Sequence, residues 1–276
     1  MNGSLKSNLK DWLPPIFLKG FQRIFKQNIW FEGEFDTWEK AVSKCSGYHA
    51  DNILNKVLEA TLKVVRNEAV YERDSVLFSE IKYSWPVTAA LMLAAARSKG
   101  KLNVLDFGGA LGSSYFQNRK FIKSIPSIKW SVVEQPNFVE AGIKYIQDDI
   151  LRFYSSIKRC VKVNRPNVIL LSSALQYIQN PNHVLLELLR MESDIIIIDR
   201  TPFYNSNKKA SVKIQNVPAS IYPASYPCWF FSLQDFIAEI ESHGYKQIER
   251  FSSLDKLSNN AVWLGFIFIK INNDEI

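Results

Sequence analysis

Residues 101–115 read KLNVLDFGGALGSSY. The apolar run that includes Leu102, Val104 and Leu105 ends in Asp106, and Gly108, Gly109, Ala110 and Gly112 follow before a serine pair. A short apolar run with a glycine-rich turn behind it reads as a buried strand passing into a helix, here one beginning near Ser113. Glycine takes dihedrals closed to other residues and removes the side chain that would block a ligand. The free N–H groups of the helix start face the same opening. Turn and helix together make a place for a nucleoside-bearing cofactor, although many tight strand-to-helix turns bind nothing.

Outward from this stretch, strands and helices alternate. KWSVVEQ (129–135), NVILLSSALQYI (167–178), DIIIIDRTPF (194–203) and AVWLGFIFIKI (261–271) read as strands, with the short YIQDDI (145–150) between the first two. SSYFQNRKFIKSI (113–125), NFVEAGIKYI (137–146), PNHVLLELLRM (181–191) and SLQDFIAEIESHGY (232–245) read as helices. Near-continuous apolar strands alternating with helices indicate an α/β fold, a doubly wound and mostly parallel sheet covered on both faces. Residues 203–230 read as irregular, and a connection of that length in a compact domain is usually functional. Ahead of residue 101 the apolar residues recur at helical spacing, which predicts a helical N-terminal lobe over 1–100 beside a second domain over 101–276. In it, VYERDSVLFSEIKYSW (70–85) is polar and aromatic, and Glu72, Arg73 and Asp74 are placed to close over the later cleft.

The bulk numbers bound the function. The chain has 276 residues, 47% apolar and 22% charged, in the range of a soluble globular protein. Its net charge of +7 suits a nucleic acid, an anionic membrane or an acidic substrate. The lysines are dispersed and no nucleic-acid-binding signature occurs. Cys45, Cys160 and Cys228 are far apart, which excludes a disulfide framework and suits a reducing, cytoplasmic setting. Neither they nor the three histidines have metal-ligand spacing, so no metal is expected. No apolar run reaches the roughly 18 residues of a membrane span. Over residues 1–31, Phe17, Phe21, Ile24 and Phe25 share a face away from Lys19, Arg23 and Lys26. That pattern fits a basic amphipathic helix lying on the inner membrane, or one docked on its own domain.

The second strand ends in Glu134, 22 residues beyond Gly112. An acid at that strand end sits beside the first turn and can accept two hydrogen bonds from a ribose diol. A dinucleotide requires Gly-x-Gly-x-x-Gly, and counted from Gly108 the second and third glycines are Ala110 and Ser113. The spacing Asp106, Gly108, Ala110, Gly112 fits better the Asp-x-Gly-x-Gly-x-Gly turn of S-adenosylmethionine enzymes, with one glycine replaced by alanine.

LDFGGALGSSY, WSVVEQ, IQDDI, LLSSALQYIQNP, IIIDRTPF and SLQDFIAEIESHGY occur in the order found in class I S-adenosylmethionine-dependent methyltransferases, which the chain resembles. More narrowly, YERDSVLF, FGGALGSSY, IDRTPF and IYPASYP resemble a bacterial family of methyltransferases found with surface-polysaccharide genes, from about residue 30 to the end. The resemblance implies a seven-stranded sheet with an antiparallel last strand at 261–271 and S-adenosyl-L-methionine as cofactor. Gly108, Gly109 and Gly112 would lie beneath it, Glu134 would hold its ribose and Asp149 its adenine, with Asp148 as the fallback. Ser172 and Ser173 would line the pocket where the methyl group emerges; Ser173 stands where many relatives have histidine.

For the acceptor, residues 203–230 are expected to form a substrate flap. Tyr204, Tyr222, Tyr226 and Trp229 would stack on a sugar, and Arg200, Lys208, Lys209 and Lys213 would meet an anionic group. Asp199 is placed either to serve as a base or to pair with Arg200. The implied activity is O-methylation of a sugar or small anionic precursor of a surface polysaccharide. The alternative is a non-catalytic binding or scaffold protein on the same fold.

Overall fold

The computed structural model describes residues 29–45, 50–204, 207–218, 224–255 and 261–271. The described chain opens with strand β1 (Trp30–Phe35), helices α1 (Trp38–Val42) and α2 (Ala50–Val65), the hairpin β2 (Tyr71–Arg73) and β3 (Val76–Phe78), and helix α3 (Trp85–Arg97). There follow β4 (Lys101–Phe107), α4 (Ser113–Ile122), β5 (Ser127–Val133), α5 (Pro136–Tyr145), β6 (Leu151–Tyr154), α6 (Ile157–Val163), β7 (Val168–Ser172), α7 (Pro181–Leu189) and β8 (Ile195–Tyr204). Strands β9 (Ser211–Val217) and β10 (Ala224–Phe230), helix α8 (Leu233–Ser242), and strands β11 (Tyr245–Ser252) and β12 (Ala261–Lys270) complete the order.

Seven strands form one sheet in the order β11-β12-β8-β7-β4-β5-β6. The five from β8 to β6 are parallel, and β12 runs antiparallel between β11 and β8. This is a doubly wound, mostly parallel seven-stranded α/β sheet, with the antiparallel last strand that the sequence led us to expect. The central strands β7 and β8 open with near-continuous apolar runs because both their faces are covered. Val168, Leu170, Ile195 and Ile197 pack with α2, α3, α4 and α5. Ile169, Leu171, Ile196 and Ile198 pack with α6, α7 and α8.

The structure corrects the sequence reading in four places. The helical lobe expected over 1–100 is not separate. Ile53, Val57 and Leu91 share one core with Val104 and Leu170, and the segment includes β1 and the β2–β3 hairpin. The described residues of 203–230 are mostly strand, where irregular chain was expected: β9 pairs antiparallel with β1 and β10 in a three-stranded sheet. Pro227 is tolerated because β10 is an edge strand. The third parallel strand is Leu151–Tyr154, after YIQDDI rather than in it, and β11 extends the sheet where no strand was expected. The amphipathic segment of 1–31 lies outside the described residues as far as residue 28, and Tyr222 lies outside them too. Among the described residues no helix is long and apolar enough to cross a membrane.

Candidate active site

The turn after β4 is built from left-handed backbone: φ is +70° at Gly108, +49° at Ala110 and +93° at Gly112. Close packing, as much as φ, demands the glycines. A Cβ on Gly108 would stand 2.7 Å from that of Ala174, and one on Gly109 would stand 2.5 Å from the carboxyl carbon of Asp106. The turn is thereby drawn down onto the ends of β4 and β7. Asp106 lies beneath it, 1% exposed, with Oδ2 accepting from Trp130 Nε1 at 3.0 Å. Its Oδ1 accepts from no described residue. Burial pushes this carboxyl up to about 7, and the nearby Glu134 acts in the same direction.

Glu134 extends from the carboxyl end of β5 over the turn. Its carboxylate accepts from the N–H of Gln135 at 2.5 Å and lies near enough to that of Ala110 for the amide to favour its charge. Burial pushes its pKa up, and the two N–H groups hold it back. The acid at the second strand end and the glycine turn therefore form one structure.

The ends of β7 and β8 form the other side. Ser172 is paired with Asp199, where the parallel ladder stops. Beyond it β8 bulges, with Asp199 and Arg200 together facing Gly265 of β12, and Arg200 has a φ of +52°. Ser173 is also left-handed, at +58°. The buried amide of Gln176 holds both, donating to Ser173 Oγ at 3.0 Å and to the Arg200 carbonyl at 3.1 Å. Asp199 is 5% exposed, and its Oδ2 accepts from Ser172 Oγ at 3.4 Å while Oδ1 has no described partner. Burial pushes its carboxyl up to about 6 against the pull of Arg200.

The expected alternative for Asp199, a side-chain pair with Arg200, is not made. Arg200 turns away to Asp255 (Nε–Oδ2 2.5 Å) and Asp74 (Nη2–Oδ2 2.6 Å). Burial works against its charge, and the two carboxylates outweigh that cost. Arg73 adds a longer contact to Asp255, at 3.5 Å. The network ties the β2–β3 hairpin to β8 as a roof. Within the hairpin, Glu72 is 1% exposed and accepts a hydrogen bond from Ser113 Oγ at the start of α4. Burial pushes Glu72 up to about 7. Beneath the roof is a cavity of about 60 Å³ lined by Tyr71, Arg73, Gly108, Gln117, Ser172 and Asp199, among others.

Other expected site residues are elsewhere. Asp149 precedes β6, at the amino end of the strand, and pairs with Arg152 at 3.5 Å. Tyr154, level with Val133, is the residue at the carboxyl edge. Asp148, the fallback, caps the same turn by accepting from Ile150 and Leu151. Tyr204, Tyr226 and Trp229 pack in and around the small sheet. Tyr204 bonds Ser211 and touches Phe230; Tyr226 accepts from Gln215; Trp229 stacks on Trp38 and donates to the Ile178 carbonyl. A two-faced sheet must cover its apolar side, and these rings do so. Lys208 pairs with Glu34 at 2.6 Å, and the Lys213 ammonium lies 5.0 Å from the Phe230 ring centroid. Gln176, Gln117 and Asp255 were not expected here, since a lone polar residue carries no spacing signal. Among the described residues no group of His, Cys, Asp or Glu is arranged to hold a metal ion.

No family model matches the chain, and no curated protein does. Solved structures similar to the chain at low identity include the following three. The N-terminal domain of EvdMO1 with SAH bound is 12% identical, covers 66% of this chain and 81% of its own, and has a TM-score of 0.45. An S-adenosylmethionine-dependent methyltransferase from Clostridium acetobutylicum is 10% identical, covering 79% and 99%, with a TM-score of 0.46. CalS10, an amino pentose methyltransferase from Micromonospora echinaspora, is 10% identical, covering 68% and 92%, with a TM-score of 0.44.

Proposed function

We propose that the chain is an S-adenosyl-L-methionine-dependent methyltransferase acting on a small acceptor. The observation that carries this is the Glu134 carboxylate held over the Gly108–Gly112 turn at the carboxyl ends of β4 and β5. Ligands of an open parallel sheet bind at those ends. A dinucleotide would rest its pyrophosphate on the start of α4. There Glu72 accepts from Ser113 and brings an acid to the place where the phosphates would lie. The carboxyls of Glu72, Asp106 and Asp199 suit a ligand with cationic groups instead. Glu134 would hold the ribose, the turn would lie beneath the nucleoside, and Ser172 and Ser173 would border the reacting end. Bound there, the cofactor supplies a methyl group activated on a sulfonium.

Asp199 holds its free Oδ1 beside that end and takes the proton of an acceptor hydroxyl. The bulge aims it, and Ser172 and Gln176 keep the two strand ends in place. Arg73 and Arg200 are the cationic groups of the cleft, and they would meet an anionic acceptor once Asp74 or Asp255 gives way. A sugar or small anionic precursor of a bacterial surface polysaccharide is the acceptor class that the sequence resemblance supports, with a cytoplasmic site of action.

Titration calorimetry with S-adenosylhomocysteine tests the cofactor. We expect binding, weakened about tenfold or more in Glu134→Ala, since a bond to a charged group is worth about 1.5–3 kcal/mol. No binding by the wild type, or unchanged binding by the variant, overturns the reading. Transfer from labelled cofactor to a panel of nucleotide sugars tests the acceptor.

A further inference from the structure

From Lys82 to Val133 the chain carries eight Lys or Arg residues, all exposed, and one acid, the buried Asp106. Of these, Lys82, Arg119, Lys120 and Lys123 lie by α3 and α4, and α3 shows solvent an apolar face of Trp85, Ala89, Met92, Leu93 and Ala96. A surface helix ordinarily puts polar residues there. Trp85 is 58% exposed and makes an aromatic triangle with Tyr83 (5.0 Å) and with Phe121 of α4 (5.4 Å). The Lys120 ammonium lies 6.0 Å from the Phe121 centroid. A groove of about 490 Å³ runs beside it, with Arg119, Lys120 and Lys123 on one wall, Val64 and Val70 among its apolar residues, and Glu68 on the rim. None of Lys82, Arg119, Lys120 and Lys123 forms an ion pair with a described residue.

We propose that this α3–α4 face docks on an anionic membrane surface. Tyr and Trp belong at the headgroup level, and Lys and Arg are drawn to the lipid phosphates. An apolar stripe set beside cations matches that boundary, where acyl chains and anionic heads meet. A second copy of the chain is the poorer occupant, because a symmetric contact would set this cationic face against itself. A nucleic-acid backbone offers nothing to the Met92–Leu93–Ala96 stripe. The proposal stands independently of the methyltransferase reading.

The test is co-sedimentation of the full chain with vesicles of phosphatidylcholine alone and of phosphatidylcholine mixed with phosphatidylglycerol. Binding to the mixed vesicles alone is expected, diminishing as salt is added. Lys120→Glu with Lys123→Glu, and separately Trp85→Ser with Phe121→Ser, should each weaken it about tenfold or more. Lys158→Glu with Lys162→Glu makes the same charge change on α6, across the sheet, and should bind as wild type. Thermal melts verify that each variant is folded. The proposal is overturned by an absence of binding, by surface variants that bind as wild type because residues 1–28 carry the attachment, or by equal loss in the α6 control. A dimer dissolved by the Trp85 variant in sedimentation velocity also overturns it.

Discussion

At the scale of the residue, the proposal is sharpest at Asp199, put forward as the base. Its pKa near 6 means that the carboxylate is ionised, and able to accept a proton, above that pH, and is protonated and inert below it. The transfer rate should therefore fall as pH drops through about 6. Asp199→Asn should abolish this limb and lower kcat about 10²–10⁴-fold, the usual range for a lost base, with S-adenosylhomocysteine binding nearly unchanged. A variant that keeps both the limb and the rate would remove Asp199 from the chemistry. Gly109 makes a second prediction. Its φ is not in the left-handed region, so the cost of Gly109→Ala comes from the contact with the Asp106 carboxyl alone. Overpacking of this kind costs about 1–3 kcal/mol. Chemical denaturation should show that loss, and the same change in an Asp106→Ala background should cost clearly less. Equal losses in the two backgrounds would mean that the glycine serves something other than Asp106.

At the scale of the element, legibility followed apolar continuity. Strands β4, β5, β7, β8 and β12 were readable because of their apolar runs, and the helices α5 and α7 because their apolar residues recur at helical spacing. The Glu134–turn pairing was readable because adjacent parallel strands bring their ends level. Asp149 was misplaced because β6 is only four residues long, so a small error in its start moves an acid from one end of the sheet to the other. The β9–β10 hairpin was hidden by its lysines, asparagines and prolines, which resemble a loop until β1, some 180 residues earlier, supplies the third strand. Asp255 had no local signal at all, since its role depends on Arg200 across the fold. On the proposed reading, the β2–β3 hairpin tied down through Arg200 is a roof that would have to lift, because about 60 Å³ is far too small for an adenosine cofactor. Asp74 is the natural release point, being 59% exposed at its side chain while Arg200 is 14% exposed. Asp74→Asn should raise the association rate of S-adenosylhomocysteine several-fold in stopped flow and speed amide exchange across Tyr71–Phe78. An unchanged association rate would show that the roof does not limit access.

At the scale of the whole molecule, the site places an unusual electrostatic load on the fold. Glu72 and Asp106 lie buried on two sides of the same turn, one in the hairpin above and one in the strand below, and each is pushed up to about 7. In the unfolded chain they would titrate near 4.5 and 3.8. Between those values and 7 the native state binds more protons than the unfolded state, so stability declines as pH rises through that window and levels off above it. Carboxyls held low, such as Asp255 and Glu34, act in the opposite sense and destabilise only in stronger acid. Together they put the optimum of the free protein near the ordinary carboxylate range instead of at neutrality. Both raised acids therefore lower the stability of the free protein as neutral pH is approached. Urea unfolding at a series of pH values should show this decline, and Asp106→Asn should flatten part of it because an amide cannot ionise. The same acids ionise more readily beside a cation, so saturating S-adenosylmethionine should stabilise the protein more at neutral pH than in mild acid. A free-protein profile that rises toward neutrality, or one left unchanged by Asp106→Asn, would show that these carboxyls are not the load that the cofactor relieves.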